Sequence, residues 1–128
     1  MNLLLDSHVF ISWHEEPSGL SKKVIEAISD PANNIYLSLA SIWEIQIKIQ
    51  IGKFKFVEAF ADVIHIEQSR NNFITLPIKL EHVFALEHLP FHNKDPFDRL
   101  LISQALVEDL TLVSSDSQFP AYGVSLLW

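Results

Sequence analysis

Short apolar runs alternate with amphipathic stretches along the whole of this 128-residue chain. Leu3-Leu4-Leu5 has the near-continuous hydrophobicity of a buried parallel strand, and Ile35 to Leu39, Phe73 to Leu76, Leu110 to Val113 and Val124 to Leu127 read as further strands. Between them, Ser18 to Ile28 carries Leu20, Val24, Ala27 and Ile28 on one helical face, closed by Asp30-Pro31. Phe56 to Ser69, Leu80 to Leu89 and Asp95 to Leu110 also read as helices. Strands that alternate with helices imply an α/β fold, with a central parallel sheet covered by helices on both faces. At 48% apolar residues, residues 1–128 are expected to form a single domain that buries roughly two-thirds of its unfolded surface.

One segment carries two signals. Ile45 to Ile51 alternates apolar and polar residues as a half-buried strand does. The stretch from Ala40 to Gly52 is long for a strand, however, and Gly52 suits a helix stop. As a helix it is apolar on two sides, with Ile42, Ile45 and Ile49 on one stripe and Trp43, Ile47 and Ile51 on another. A helix with two apolar faces, followed by Phe54 and Phe56, implies an exposed patch that a partner covers.

Four carboxylates stand at the ends of apolar runs: Asp6, Glu44, Asp98 and Asp116. In open parallel sheets, ligands bind beyond the carboxyl ends of the strands, where residues distant in sequence meet. Like charges about 4 Å apart repel by roughly 1 to 4 kcal/mol, so four acids in one volume need a cation. Hard oxygen ligands favour Mg²⁺ or Mn²⁺, and carboxylate-held divalent ions are a common device for cleaving phosphodiesters. Each acid also has a plain structural reading. Asp6 suits an N-cap, with Ser7 and His8 beside it as caps or hydrogen-bond donors, and Asp95 caps a helix whose first residue is Pro96. Glu44 can pair with Lys48 at i,i+4, and Asp116 can serve a turn. Asp98 lies beside the apolar Phe97, Leu100 and Leu101, where a charge wants a partner or a metal.

Composition narrows the alternatives. There is no cysteine, which excludes disulfides and thiolate metal sites and fits a reducing cytoplasm. The opening Met1-Asn2-Leu3-Leu4-Leu5-Asp6 lacks the basic region of a signal peptide, and no apolar run approaches a membrane span. A net charge of −7 argues against a broad electrostatic grip on nucleic acid. Two divalent ions would bring it to −3, and Lys48, Lys53, Lys55, Lys94 and Arg99 leave a local basic rim possible. Three glycines form no phosphate loop, and the histidines lack zinc-protease spacing. The three tryptophans, Trp13, Trp43 and Trp128, read as core or interface anchors rather than base-stacking platforms.

Leu3-Leu4-Leu5-Asp6-Ser7-His8, Ser41-Ile42-Trp43-Glu44-Ile45, the long stretch from Asp95 to Ala105 and Leu112-Val113-Ser114-Ser115-Asp116, taken in order, resemble a PIN-domain ribonuclease. The likeness is greatest to VapC-type toxins of bacterial toxin–antitoxin pairs, and it spans almost the whole chain. It implies a PIN-like three-layer sandwich with a parallel sheet of four to five strands. It carries the metal-binding, catalytic acids onto Asp6, Glu44, Asp98 and Asp116, with Ser114 at the position of a small hydroxyl residue beside the fourth acid. Asp95 and Ser7 take supporting roles, and Arg99 either touches a substrate phosphate or forms a structural ion pair. The likeness also favours a helix over Ala40 to Ile51. It implies Mg²⁺ or Mn²⁺ as cofactor, RNA as substrate, a cognate antitoxin and a homodimer.

Three other readings compete. A non-toxin PIN nuclease of RNA processing would carry the same acids. A PIN fold acting only as a binding module would not need all four of them. A Mg²⁺-binding receiver-type signalling domain needs paired acids after the first strand and a late lysine, yet Asp6 is followed by Ser7-His8 and no lysine follows Lys94.

Overall fold

A computed structural model describes all 128 residues. Five strands, β1 (Asn2–Leu5), β2 (Asn34–Ser38), β3 (Ile74–Leu76), β4 (Thr111–Val113) and β5 (Leu126–Leu127), form one sheet in the order β3-β2-β1-β4-β5. Every pairing is parallel. Six α-helices connect them: α1 (Ser7–Glu15), α2 (Lys22–Ser29), α3 (Leu39–Gln50), α4 (Phe60–Arg70), α5 (Leu80–Phe84) and α6 (Pro96–Val107). The expected three-layer α/β sandwich is the one observed.

Alternation along β1 assigns the two faces. Leu3 and Leu5 join Val9 and Phe10 of α1, Val24 and Ile28 of α2, Ile45 of α3 and Val63 of α4 in one core. Leu4 points the other way, into a second core with Leu101, Ile102 and Ala105 of α6, Leu112 and Phe119. Leu3, Leu4 and Leu5 are all fully buried. At about 1.5–3 kcal/mol per buried leucine, this central strand anchors both layers.

The stretch 39–50 is helical despite its strand-like period. Ser38 caps its start by accepting from the Ala40 N–H. Gly52, at φ +76°, ends it, with the Gly52 and Lys53 N–H groups returning to the carbonyls of Ile49 and Lys48. Register with β1 uses up β2 by Ser38, so the chain turns into a crossover helix there.

Several expected boundaries shift. The helix expected from Ser18 begins at Lys22 behind a 3₁₀ turn, Pro17–Gly19, and the one expected over Leu80 to Leu89 breaks into α5 and a 3₁₀ turn, Ala85–His88. The helix expected from Phe56 begins at Phe60. Phe56 is buried in an irregular segment, where it packs on Phe54, Phe60 and His14. Phe54 and Phe56 therefore belong to the first core and do not extend an exposed patch. Trp43 and Ile51 do remain exposed, at 60% and 59%.

Candidate metal centre in an acidic cavity

Parallel pairing sends the carboxyl ends of β1, β2, β4 and β5 to one edge of the sheet, and the four acids gather there. Asp6 follows β1, where its N–H is held by the Val113 carbonyl at 3.1 Å. Its carboxylate caps α1 by accepting from the Val9 N–H at 2.8 Å. The capping and metal-ligand readings of Asp6 are thus compatible, since a carboxylate that caps with one oxygen keeps further lone pairs. Asp98 stands in the first turn of α6, which Asp95 caps by accepting from the N–H groups of Phe97 and Asp98. Glu44 projects from α3, and Asp116 from the loop after β4.

Asp6, Glu44, Asp98 and Asp116, with Asp95, line one cavity of about 530 Å³. Burial pushes the Asp6 carboxyl above its ordinary pKa, against hydrogen bonds from Ser114 and the Val9 N–H. Burial pushes Asp98 up to about 6, opposed by a hydrogen bond from Asn93 and reinforced by the charges of Asp95, Glu44 and Asp116. The acids therefore feel one another, and the charge of His8, which favours ionised Asp6, does not outweigh burial. The donor set, all hard oxygen, fits a divalent ion of the Mg²⁺ or Mn²⁺ kind. No three of these acids bring carboxylate oxygens within 4.8 Å of one another. Such an open arrangement suits a hydrated ion better than a closed protein cage.

Neighbouring polar groups hold the acids. The Ser7 hydroxyl donates to Glu44 at 2.7 Å. Glu44 consequently does not pair with Lys48; the lysine ion pairs are Lys22–Glu26 and Lys79–Glu108. The buried Ser114 hydroxyl accepts from the Asp116 N–H at 3.1 Å. The Asn93 side-chain amide donates to Asp98 at 3.0 Å while its oxygen accepts from the Asp95 N–H at 2.8 Å. Sequence reading passes over Asn93. The available signal is an asparagine two residues before a helix-capping aspartate, a spacing suited to an Asx turn.

Arg99 lies elsewhere. Its buried guanidinium donates to the carbonyls of Leu89, Pro90 and Asn93 beneath the Phe91 ring, so it braces the 89–93 loop and neither lines the cavity nor pairs with an acid. Trp128 and Lys48 do line the cavity, and of the core-or-interface reading of Trp128 the core half does not hold, since it belongs to neither core.

A second group of potential ligands, Glu81, His82 and Glu108, lies apart from this cavity. His82 Nδ1 accepts from the Lys79 N–H at 2.9 Å, which assigns the proton to Nε2, facing Glu108 at 2.8 Å. A histidine so committed offers no lone pair to a metal, and the group is a brace between α5 and α6.

The PIN domain family model matches residues 3–124. No curated protein matches the chain. Among solved structures, the chain is similar to one from VapBC2 of Rickettsia felis bound to a DNA fragment from their promoter, with a TM-score of 0.75 and 19% identity over 99% of this chain and 98% of that one. It is also similar to a chain of DNA-bound VapBC from Salmonella typhimurium, with a TM-score of 0.72 and 12% identity over 99% and 97%. VapBC-1 from nontypeable Haemophilus influenzae gives 0.68 and 16% over 99% and 97%. The family model spans the acids of this cavity from Asp6 to Asp116, and this chain belongs to the PIN domain family.

Proposed function

We propose that this chain is a Mg²⁺- or Mn²⁺-dependent endoribonuclease that serves as the toxin of a toxin–antitoxin pair. The observation that carries the reading is the sharing of one cavity by Asp6, Glu44, Asp98 and Asp116, with Asp98 pushed up to about 6. PIN domains are nucleases, which supplies the reaction class. The similar solved structures are VapBC toxin–antitoxin complexes, which supports the biological role.

In this reading Asp6, Glu44, Asp98 and Asp116 hold the metal. Divalent ions, when bound, lower the pKa of a water nucleophile and neutralise charge on the scissile phosphate. Ser7 fixes the orientation of Glu44, Asn93 that of Asp98, and Ser114 the start of the Asp116 loop. Asp95 shapes the same cavity and organises the α6 terminus. The substrate is RNA cut at internal phosphodiester bonds.

The chain forms a homodimer and is held inactive by a small antitoxin. An apolar groove lined by Leu39, Ile42, Trp43, Phe60, Ile64 and Ile78 supports a protein partner. A net charge of −7 favours a partner with basic residues, and an Arg or Lys from it can enter the carboxylate cluster and displace a metal.

The test is cleavage of RNA by the purified chain with EDTA, then with Mg²⁺ or Mn²⁺ restored, alongside Asp6→Asn and Asp98→Asn. Cleavage is expected only with metal and to be lost in both variants. Metal-independent cleavage, or full activity of the two variants combined, would sink the proposal.

A further inference from the structure

We propose that Trp128 is a nucleobase-stacking platform at the rim of the acidic cavity and sets a preference for unpaired RNA. The inference rests on the nuclease reading of that cavity and names how the same site holds its substrate.

Sheet pairing places Trp128 there. Leu127 of β5 lies opposite Val113 of β4, and the Ser114 N–H donates to the Leu127 carbonyl at 3.3 Å. The next residue along β5 therefore leaves the sheet beside Ser114 and Ser115, at the edge that carries Asp6. Trp128 lines the cavity with Asp6, Asp98 and Asp116 and is 42% exposed. Trp128 belongs to neither core. The other two tryptophans have aromatic partners, Phe73 for Trp13 and Phe97 for Trp43, and Trp128 has none.

The excess of acids favours such a platform. Five carboxylates and two basic side chains, Lys48 and His8, line the cavity, and the whole chain carries −7. A ribonucleotide backbone entering this field is repelled except at the metal, beside His8, and at Lys48, which no carboxylate pairs with. Stacking on an aromatic face does not depend on net charge and tolerates every base. It requires a splayed base, so a duplex gains nothing from it. Trp128 thus acts on binding, while the acids act on the bond broken.

The experiment titrates an eight-nucleotide single-stranded RNA carrying one 2-aminopurine with the full chain, in EDTA and in Mg²⁺, and follows 2-aminopurine quenching. The same RNA annealed to its complement is the control, and cleavage is measured on separate samples. Trp128→Ala is expected to weaken single-strand binding about tenfold and to abolish quenching, with Trp128→Phe within about threefold of wild type and duplex binding unchanged. Circular dichroism and Tm check that both variants fold. If Trp128→Ala unfolds, the inference rests on Trp128→Phe and Trp128→Leu, of which only the first keeps quenching. Wild-type binding without quenching, equal binding by an aromatic and an aliphatic residue 128, or no binding by the wild type overturns the inference. Cleavage without Trp128-dependent quenching sinks this inference alone. Quenching without cleavage sinks the nuclease reading alone.

Discussion

The Ser7 hydroxyl donates to the Glu44 carboxylate across 2.7 Å, tying the first turn of α1 to α3 over a sequence separation of 37. Glu44 is thereby positioned without a cation. Groups that orient metal ligands in this way commonly change affinity or activity by 10- to 100-fold when removed. Ser7→Ala is expected to lower kcat/KM for RNA about tenfold and to weaken Mg²⁺ binding, with little change in Tm. Isothermal titration with Mg²⁺ checks it, and wild-type affinity in the variant would contradict the assigned role of Ser7.

Asp98 provides a stability test that needs no substrate. Its folded pKa, about 6, exceeds the ordinary 3.8, so its ionisation opposes folding. That contribution is absent below about pH 4 and grows as pH rises through about 6. Because the side chain is partly solvated, the cost at pH 7.5 is on the order of 1–2 kcal/mol. Metal-free Asp98→Asn should therefore equal or exceed metal-free wild type in Tm at pH 7.5, keep about half of that advantage at pH 5 and lose it below about pH 4. Mg²⁺ should raise the wild-type Tm more than that of the variant, because it binds the folded site alone. Equal Mg²⁺ shifts would count against a shared site.

His14 gives a second pH dependence at the far end of α1. Burial opposes its protonation, but hydrogen bonds to Glu67 at 2.8 Å and to Glu58 outweigh it and raise the pKa above 6.5. A histidine with a raised folded pKa stabilises below about pH 6.5, and the gain is lost as pH rises through the folded value. Glu67 is itself buried and also accepts from Trp13 and Asn71, so α1 and α4 are joined through one carboxylate. Raising the pH from 6 to 8 should therefore cost the wild type more stability than it costs His14→Gln. Parallel Tm curves over that range would remove His14 from the account.

Assembly is tested at Trp43. The residue is 60% exposed on α3 beside the groove formed with Phe60, Ile64 and Ile78. Size exclusion with light scattering, alone and after co-expression with the adjacent reading frame, is expected to give a dimer and then a larger complex. Trp43→Ala should lose the neighbour-encoded chain while keeping its Tm within about 2 °C. A monomer that takes up no such chain would refute both the dimer and the partner.

The alternation of apolar runs and helical stretches determined the layered parallel sheet, because strands buried on both faces need near-continuous hydrophobicity. The four acids were legible for a related reason: a charge at the end of a buried strand or beside a core stripe stands out against its neighbours. Helix limits at Ser18 and Phe56 were not legible, since aromatic clustering among Phe54, Phe56 and Phe60 imitates a helical stripe while serving a tertiary cluster. Nor could sequence decide whether Ile45 to Ile51 was strand or helix from its own period; the length of β2 and the Gly52 stop settle it in the fold. Arg99 beside Asp98 looked like part of the site, but three backbone carbonyls of the 89–93 loop draw it away. Asn93 reaches Asp98, and Trp128 reaches the cavity, only because a loop and an edge strand return to the same sheet end. Local chemistry can mark which residues are charged or buried, but which of them face one another depends on strand order and register, and those are set by long-range pairing.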